Sequence, residues 1–328
     1  SITEKALIFS SEIKGILNSG LKEASFFEEA IDDYLGYRGV REPFTFFDGI
    51  LQVPAASYLK INRRFECESK KYWTLPRISF EKEYNEEEII NEVDRKLKEA
   101  VMRWKVSDVE LGAYLSGGVD SSLITAMLAE NNDEPLYTYT IGFNEEGFNE
   151  FSYAKMVEEK YNVIHTEIHS QANEYLNDWK KLIYFKDSPL GVPNEIPLAK
   201  MSWVLKQNIT VVMSGEGADE LFGGYGKICR ASFDYENSEK ENSFYDYFIN
   251  KYEYDPREIR NRYLNVKNKN RDLFDKTLEK ELSNYPNEEN IFRFFHNIHI
   301  KPLLQRLDNA TMQASVEGRV PFLDHELV

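Results

Sequence analysis

Residues 109–122 put a run of β-forming side chains directly before a glycine turn, and a helix-forming segment starts at once behind it. The turn reads Leu115-Ser116-Gly117-Gly118-Val119-Asp120-Ser121-Ser122. A strand that passes through such a turn into a helix points to an α/β fold, in which the helix packs back on a parallel sheet. A helix N-terminus placed there offers backbone N–H groups and the positive end of its dipole to an anion. Gly117 and Gly118 let the backbone approach a phosphate closely. Ser116, Ser121 and Ser122 add hydroxyl donors. Asp120 would be repelled by a bare phosphate, so its natural task is to hold a divalent cation that bridges to it. An ordinary turn accounts for two glycines but not for every polar position around them.

The most familiar phosphate loop carries a lysine, and this one has none. It resembles instead the Ser-Gly-Gly-x-Asp-Ser loop of the ATP-pyrophosphatase superfamily, the PP-loop. The resemblance implies cleavage of ATP between its α and β phosphates, release of pyrophosphate and an adenylate left on the substrate.

A length of 328 residues allows one large domain or two ordinary ones, and a hydrophobic fraction of 42% is enough for a buried core. The formal charge of -16, with a pI near 4.9, argues against broad nucleic-acid binding. No apolar run reaches membrane-span length, and no signal peptide is visible. Cys67 and Cys229 are far apart and read as free thiols of a reducing cytoplasm. No cysteine cluster suggests zinc or iron–sulfur binding. The chain starts at Ser1, inside what reads as a strand over Ala6–Phe9, and stops just after Asp324, so a fragment of a longer protein is expected.

Residues 1–82 read as β-rich, with strands at Ala6–Phe9 and Ser57–Ile61 and turns at Gly49, Pro54 and Asn62–Arg64. Glu81–Glu88 reads as a linker, and Asn85 with Glu88 forms a capping-box pattern. Ile89, Ile90, Val93, Leu97, Ala100, Val101 and Trp104 then mark one face of a helix, which puts a boundary near residue 82. From there strands at Val109–Leu115, Leu136–Gly142, Val163–Ile168 and Ile209–Met213 alternate with helices at Ser121–Asn131, Glu150–Tyr161, Glu174–Tyr184 and Ile196–Gln207. Such alternation predicts right-handed βαβ crossovers, with ligands at the carboxyl ends of the strands. Residues 230–300 read as mostly helical, with Glu236–Glu241 a solvated loop.

A second motif, Ser214-Gly215-Glu216-Gly217-Ala218-Asp219-Glu220, follows the strand ending at Met213. Three acids within five residues are costly to bury unless a cation joins them. A metal-bound pyrophosphate and an amine nucleophile would each meet that need; a solvated acidic turn is the bland alternative. In a third motif, Arg306 through Asp324, Arg306 is a candidate to clamp a substrate carboxylate with its planar fork. Glu317 and Arg319 read as an internal ion pair.

The three motifs, in this order, resemble glutamine-dependent asparagine synthetase. Phe9-Ser-Ser-Glu-Ile-Lys14 and Phe47–Leu59 leading to Tyr72-Trp73 resemble the last third of its glutaminase domain. The fold implied is a parallel-sheet ATP-pyrophosphatase (adenine nucleotide alpha hydrolase-like) domain over 83–328. It is preceded over 1–82 by part of an N-terminal nucleophile hydrolase-like domain. The reaction implied makes an adenylate of the aspartate side chain from ATP, and glutamine-derived ammonia then displaces AMP. The resemblance makes Ser116, Gly117, Gly118, Asp120 and Ser121 the pyrophosphate loop, and Asp120 and Asp219 the Mg2+ ligands. It makes Glu216 the general base for ammonia. Leu115, Ile141, Ser214 and Gly215 match nucleotide-holding positions, and Arg306 matches an arginine near the aspartate.

Some family features lie elsewhere than in this sequence. Neither Cys67 nor Cys229 sits in the context of the glutaminase nucleophile, and the family's Lys-bearing helix follows the position where the chain ends. The polypeptide as given is therefore expected to be incomplete for activity. The partners expected are small molecules, namely aspartate, ATP and glutamine or ammonia, with no nucleic acid and no membrane; a homodimer is compatible with the resemblance. The same machinery serves other acceptors, including sugar acids, β-lactam precursors and peptide macrolactams. An inactive domain acting as an interaction partner is the non-enzymatic alternative. His165 and His169 could ligate a metal on a helix, but their segment reads as strand, and Tyr225 reads as a loop-shaping residue.

Overall fold

The computed structural model describes the chain except residues 4–5, 78–84, 144, 146–148, 240–242 and 265–268. Helices α1 (Ile13–Leu17) and α2 (Ala30–Tyr37) come first, then a hairpin of β1 (Ser57–Ile61) and β2 (Cys67–Lys71). The alternating part runs α3 (Glu86–Lys105), β3 (Leu111–Tyr114), α4 (Val119–Glu130), β4 (Leu136–Phe143), α5 (Phe151–Glu158) and β5 (Val163–Ser170). It continues with α6 (Ala172–Lys186), α7 (Glu195–Leu205), β6 (Val211–Met213) and α8 (Ala218–Phe222). Helices α9 (Gly226–Cys229), α10 (Ala231–Glu236), α11 (Phe244–Tyr252), α12 (Arg257–Tyr263), α13 (Lys269–Leu282), α14 (Asn287–Phe294) and α15 (Ile300–Met312) follow, and β7 (Glu317–Arg319) comes last. None of the helices among the described residues is long and apolar enough to cross a membrane.

Packing divides the chain into two units. One gathers Ser1–Ile78, Asp187–Gly191 and Gly226–Pro302; the other gathers Ser79–Lys186, Val192–Tyr225 and Leu303–Val328. The first break falls close to the boundary expected near residue 82, and the helices of 226–302 group with residues 1–78 because their aromatic faces pack against them.

The second unit is built on a five-stranded sheet in the order β5-β4-β3-β6-β7, parallel throughout. The expected strands are all present, β3 and β6 shorter than expected and β4 and β5 longer, and the expected helices have shifted ends. The alternating side chains sort to two faces, as a period of two requires. Ala113 and Met213 join Leu97, Val101, Ile124 and Leu128 beneath α3 and α4. Tyr114 and Val212 join Met201, Leu205 and Leu307 beneath α7 and α15. The capping box at Asn85 forms as expected: the Glu88 N–H donates to Asn85 Oδ1 at 2.8 Å. The α3 face is shorter than its periodicity suggested, since Ile89 and Ile90 are exposed while Leu97, Ala100 and Val101 are buried. Of the expected linker, residues 81–84 lie outside the described residues, and 86–88 already belong to α3. The third motif supplies β7, an edge strand that its short polar sequence did not announce.

Asp324 ties the segment after β7 to α3. It accepts from Arg103 Nη2 at 2.5 Å, from Trp104 Nε1 at 2.8 Å and from the Glu326 N–H at 3.0 Å. Burial opposes its ionisation, but these donors and the Arg103 charge prevail and hold its carboxyl down at about 2. The folded value lies below the unfolded 3.8, so this stabilisation is present above about pH 4 and lost as the pH falls toward 2. Asp324→Asn is expected to remove about 2 kcal/mol at neutral pH. It should also flatten the fall of Tm between pH 4 and 2, read by circular dichroism; parallel Tm profiles for the two proteins would refute the assignment.

The first unit corrects the β-rich expectation for residues 1–82. Among the described residues, Ala6–Phe9 forms no strand: Leu7 makes a single bridge to Ile2, and Phe9 is exposed. Only Ser57–Ile61 of the two expected strands is present, paired with β2. Helices α1 and α2, for which no element was expected, occupy part of this region. The acids Asp32 and Asp33 on α2 are buried because arginines reach them: Arg260 Nε meets Asp32 at 2.8 Å, and Arg41 Nε meets Asp33 at 2.9 Å. Tyr37, Phe248, Tyr252 and Phe294 stack into an aromatic core, with the Tyr252 and Phe294 ring centres 4.6 Å apart. Residues 230–300 are helical as expected; of the Glu236–Glu241 loop, 240 and 241 lie outside the described residues. Neither Cys67 nor Cys229 is in a disulfide.

Candidate active site

The strand order creates the site. From β3 the chain moves outward to β4 and β5, then returns to the other side of β3 with β6 and β7. The crevice beyond the carboxyl ends of β3 and β6 is therefore the switch point of the sheet, where α/β proteins bind their ligands. The Ser116 loop leaves β3 there, and the Ser214 loop leaves β6.

The first loop is braced by its own hydroxyls. The Ser116 N–H donates to Ser121 Oγ at 3.2 Å, the two serine hydroxyls lie 2.9 Å apart, and the Gly118 N–H donates to Ser116 Oγ at 3.2 Å. Gly117 has φ +86°, and a Cβ on it would lie 2.6 Å from Tyr153 Cβ, so this position requires glycine. Gly118 caps α4 without any side-chain capping bond, which leaves the first-turn N–H groups facing the turn. Leu115, fully buried, donates its N–H to the Tyr139 carbonyl at 2.9 Å, and Ile141 lies two residues beyond Tyr139, toward the carboxyl end of β4.

The second loop lies directly against the first. A Cβ on Gly215 would stand 2.9 Å from the Ser121 nitrogen and 3.1 Å from Asp120 Cβ. Ser214 is anchored to β7 by its N–H on the Arg319 carbonyl at 2.8 Å, and its Oγ accepts from the Glu216 N–H at 3.2 Å. Gly224 has to be glycine, since a Cβ there would overlap the Asp219 carboxylate.

The acids of the two loops feel one another. Burial raises the Asp120 carboxyl above the ordinary range, and the charges of Asp219 and Glu220 raise it further. Asp219 is raised by burial and by Glu220. Glu220 is buried and takes the Tyr225 hydroxyl at 2.6 Å, so Tyr225 does shape the loop. This concentration of negative charge suits a cation. Among the described residues no three metal-binding side chains converge. Asp120 and Asp219 are the two carboxylates that the loops bring toward such a cation.

Burial likewise raises the Glu216 carboxyl, against the opposing pull of Arg306. Sequence reasoning named these two residues separately; the structure joins them in an ion pair. Arg306 also donates to Asn194 Oδ1 at 3.4 Å, and its Nε is buried with no acceptor among the described residues. Neither Asn194 nor the buried pair of Lys186 and Glu195 was singled out from the sequence, where nothing local marks them. His165 lies on a strand, with Nδ1 2.9 Å from Thr138 Oγ1, and the Glu317–Arg319 pair forms at 2.7 Å.

Comparison with known proteins agrees with this geometry. The family model described as asparagine synthase matches residues 92–328. Asparagine synthetase [glutamine-hydrolyzing] 1 of Bacillus subtilis is 32% identical over 218 residues, covering 66% of this chain and 34% of that protein. Asparagine synthetase [glutamine-hydrolyzing] 3 of the same organism is 26% identical over 348 aligned positions, covering 98% of this chain and 55% of its own length. Amidase chyE of Penicillium rubens is 29% identical and covers 69% of this chain and 35% of its own length. The chain thus spans between about a third and about half of these relatives. With the family model matching well over half of its residues, the chain belongs to the asparagine synthase family.

Proposed function

We propose that this chain carries the ATP-dependent amide-forming site of a glutamine-hydrolysing asparagine synthetase, a carbon–nitrogen ligase. The observation that supports this most is the meeting of two loops at the sheet's switch point, one amide- and hydroxyl-rich, the other acidic. Ser116, Gly117, Gly118 and Ser121 receive the β and γ phosphates, and Leu115, Ile141, Ser214 and Gly215 hold the nucleotide. Asp120 and Asp219 hold Mg2+, which when bound neutralises the charge growing on pyrophosphate.

A carboxylate is a poor acyl donor. Attack of its oxygen on the α-phosphorus expels pyrophosphate and gives it AMP as leaving group; ammonia then attacks the acyl carbon and AMP departs. Glu216 accepts the proton that the attacking nitrogen loses, a task suited to a carboxyl raised by burial. Arg306 receives a carboxylate of the substrate, and its buried Nε–H is a donor available for that contact. As it does so its hold on Glu216 loosens, which frees the base.

In the same reading residues 1–82 are the C-terminal part of the glutaminase domain and 83–328 belong to the synthetase. The match of Bacillus subtilis synthetase 3 across nearly the whole chain supports that division. Aspartate is the acceptor, glutamine the ammonia source, the setting cytoplasmic and the assembly a homodimer.

The test is ATP–pyrophosphate exchange in the full-length protein, with aspartate set against a panel of sugar, β-lactam-precursor and peptide acids. Exchange that requires aspartate and magnesium, and is lost in Asp120→Ala, is the expected outcome. Exchange driven by another acid would move the chain to a different amide product, and silence with every acid would refute the reading.

A further inference from the structure

A second buried ion pair stands behind Arg306. Lys186, the last residue of α6, and Glu195, the first of α7, have side chains 8% and 1% exposed. The Lys186 ammonium reaches both Glu195 oxygens, at 2.9 and 2.8 Å, and the Val192 N–H adds a third bond at 3.2 Å. Burial lowers the Lys186 pKa, Glu195 opposes that, and Arg306 lowers it further, so the two cations lie within electrostatic reach of each other.

Such a pair is a weak source of stability, because the cost of desolvating two charges cancels most of their attraction. Apolar side chains would hold α6 to α7 equally well. A bidentate pair with a backbone donor does something packing does not: it fixes the start of α7 in position and orientation. The next residue outward is Asn194. Asparagine is a favoured helix cap, yet its side chain makes no capping bond here and instead accepts from Arg306. Arg306, which lies within electrostatic reach of Lys186, pairs with Glu216.

We propose that Lys186 and Glu195 are positioning residues: their pair clamps Asn194 in place, and together they aim Arg306 at Glu216 and at an incoming carboxylate. This deepens the amide-forming reading and rests on it for its purpose, but its geometry can be tested without turnover.

The test uses proton–nitrogen NMR of the arginine side chains in the full chain, with the Arg306 Nε–H signal assigned by its loss in Arg306→Lys. In the Lys186→Met/Glu195→Leu double variant, solvent exchange of that proton should accelerate at least about tenfold. Asn194→Ala should do the same. Backbone amide exchange in β3 and β6 should stay as it was. An unchanged Arg306 signal in the double variant overturns the proposal. So does acceleration matched across β3 and β6, which would mean a merely structural role. Should the double variant fail to fold, Glu195→Gln, which keeps the shape and removes the charge, is read in the same way. Because this readout needs no substrate, a failed pyrophosphate-exchange assay and a failed positioning test are separate results.

Discussion

Asp120→Asn should cut magnesium-dependent ATP–pyrophosphate exchange by roughly 10²–10³, the usual cost of losing one group that stabilises transition-state charge. The same change should raise the Tm of the protein measured without magnesium. The reason is electrostatic. Asp120 is partly buried, and its carboxyl is raised by that burial and by the charges of Asp219 and Glu220. A folded-state value above the unfolded one means that ionising Asp120 at neutral pH disfavours the fold; the penalty fades as the pH falls through the folded value and is gone below the unfolded one. The neutral amide removes the penalty together with the proposed metal ligand. Lower activity with higher stability is the pattern of a residue kept for chemistry rather than for folding. A variant that loses stability in parallel with activity would show that Asp120 serves the turn, as a helix-start acid, and would sink its assignment as a metal ligand.

The largest stability loss is expected at the other unit. Arg260 is 1% exposed and joins α2 to the later helices, with Nε on Asp32 at 2.8 Å and Nη2 on Glu253 at 2.7 Å. Arg260→Met fills similar space but leaves two buried carboxylates short of the charge that compensated them. Glu253 would keep the Arg257 N–H at 3.2 Å and a 3.8 Å contact to its guanidinium. Breaking one side of a buried ion pair costs roughly 3–5 kcal/mol, or about 4–7 °C in Tm for a chain of this size. The triple variant Asp32→Asn/Glu253→Gln/Arg260→Met should recover more than half of the loss, since it also removes the two carboxylate charges that Arg260 had compensated. Calorimetry of the two variants decides the matter: a loss under about 1 kcal/mol in Arg260→Met, or no recovery in the triple, would show that the network contributes little.

These two sites differ in how far they could be read in advance. Asp120 announced itself, because its meaning lies in a few neighbours along the chain: a strand before, glycines in the turn, a helix behind. The same holds for the Asn85 capping box and for the alternation through β3, β4, β5 and β6. Asp32 and Asp33 gave no comparable signal. In sequence they are two acids of a polar segment, and the cations that bury them are brought by the fold: Arg260 reaches Asp32 from 228 residues away, and Arg41 reaches Asp33. That is also why α2 was missed and why residues 1–82 were read as richer in strands than they are. β7 was missed for a related reason: Glu317-Gly-Arg319 has no apolar alternation, and the segment is a strand because β6 offers it an edge.

Within the site, the residue types were legible and their pairings were not. Glu216 and Arg306 stand 90 positions apart, and nothing local couples them. Lys186 and Glu195 look like surface charges until the fold buries them against each other. By itself, then, the sequence determined the strand–loop–helix units and the chemical character of each loop, because backbone propensity, glycine freedom and helix-end polarity act over a few residues. The tertiary structure alone decided that β6 lies beside β3, and hence that the two loops share one crevice. Strand neighbours are chosen by hydrogen bonds and packing between distant segments, and these leave no trace in the order of residues along either one.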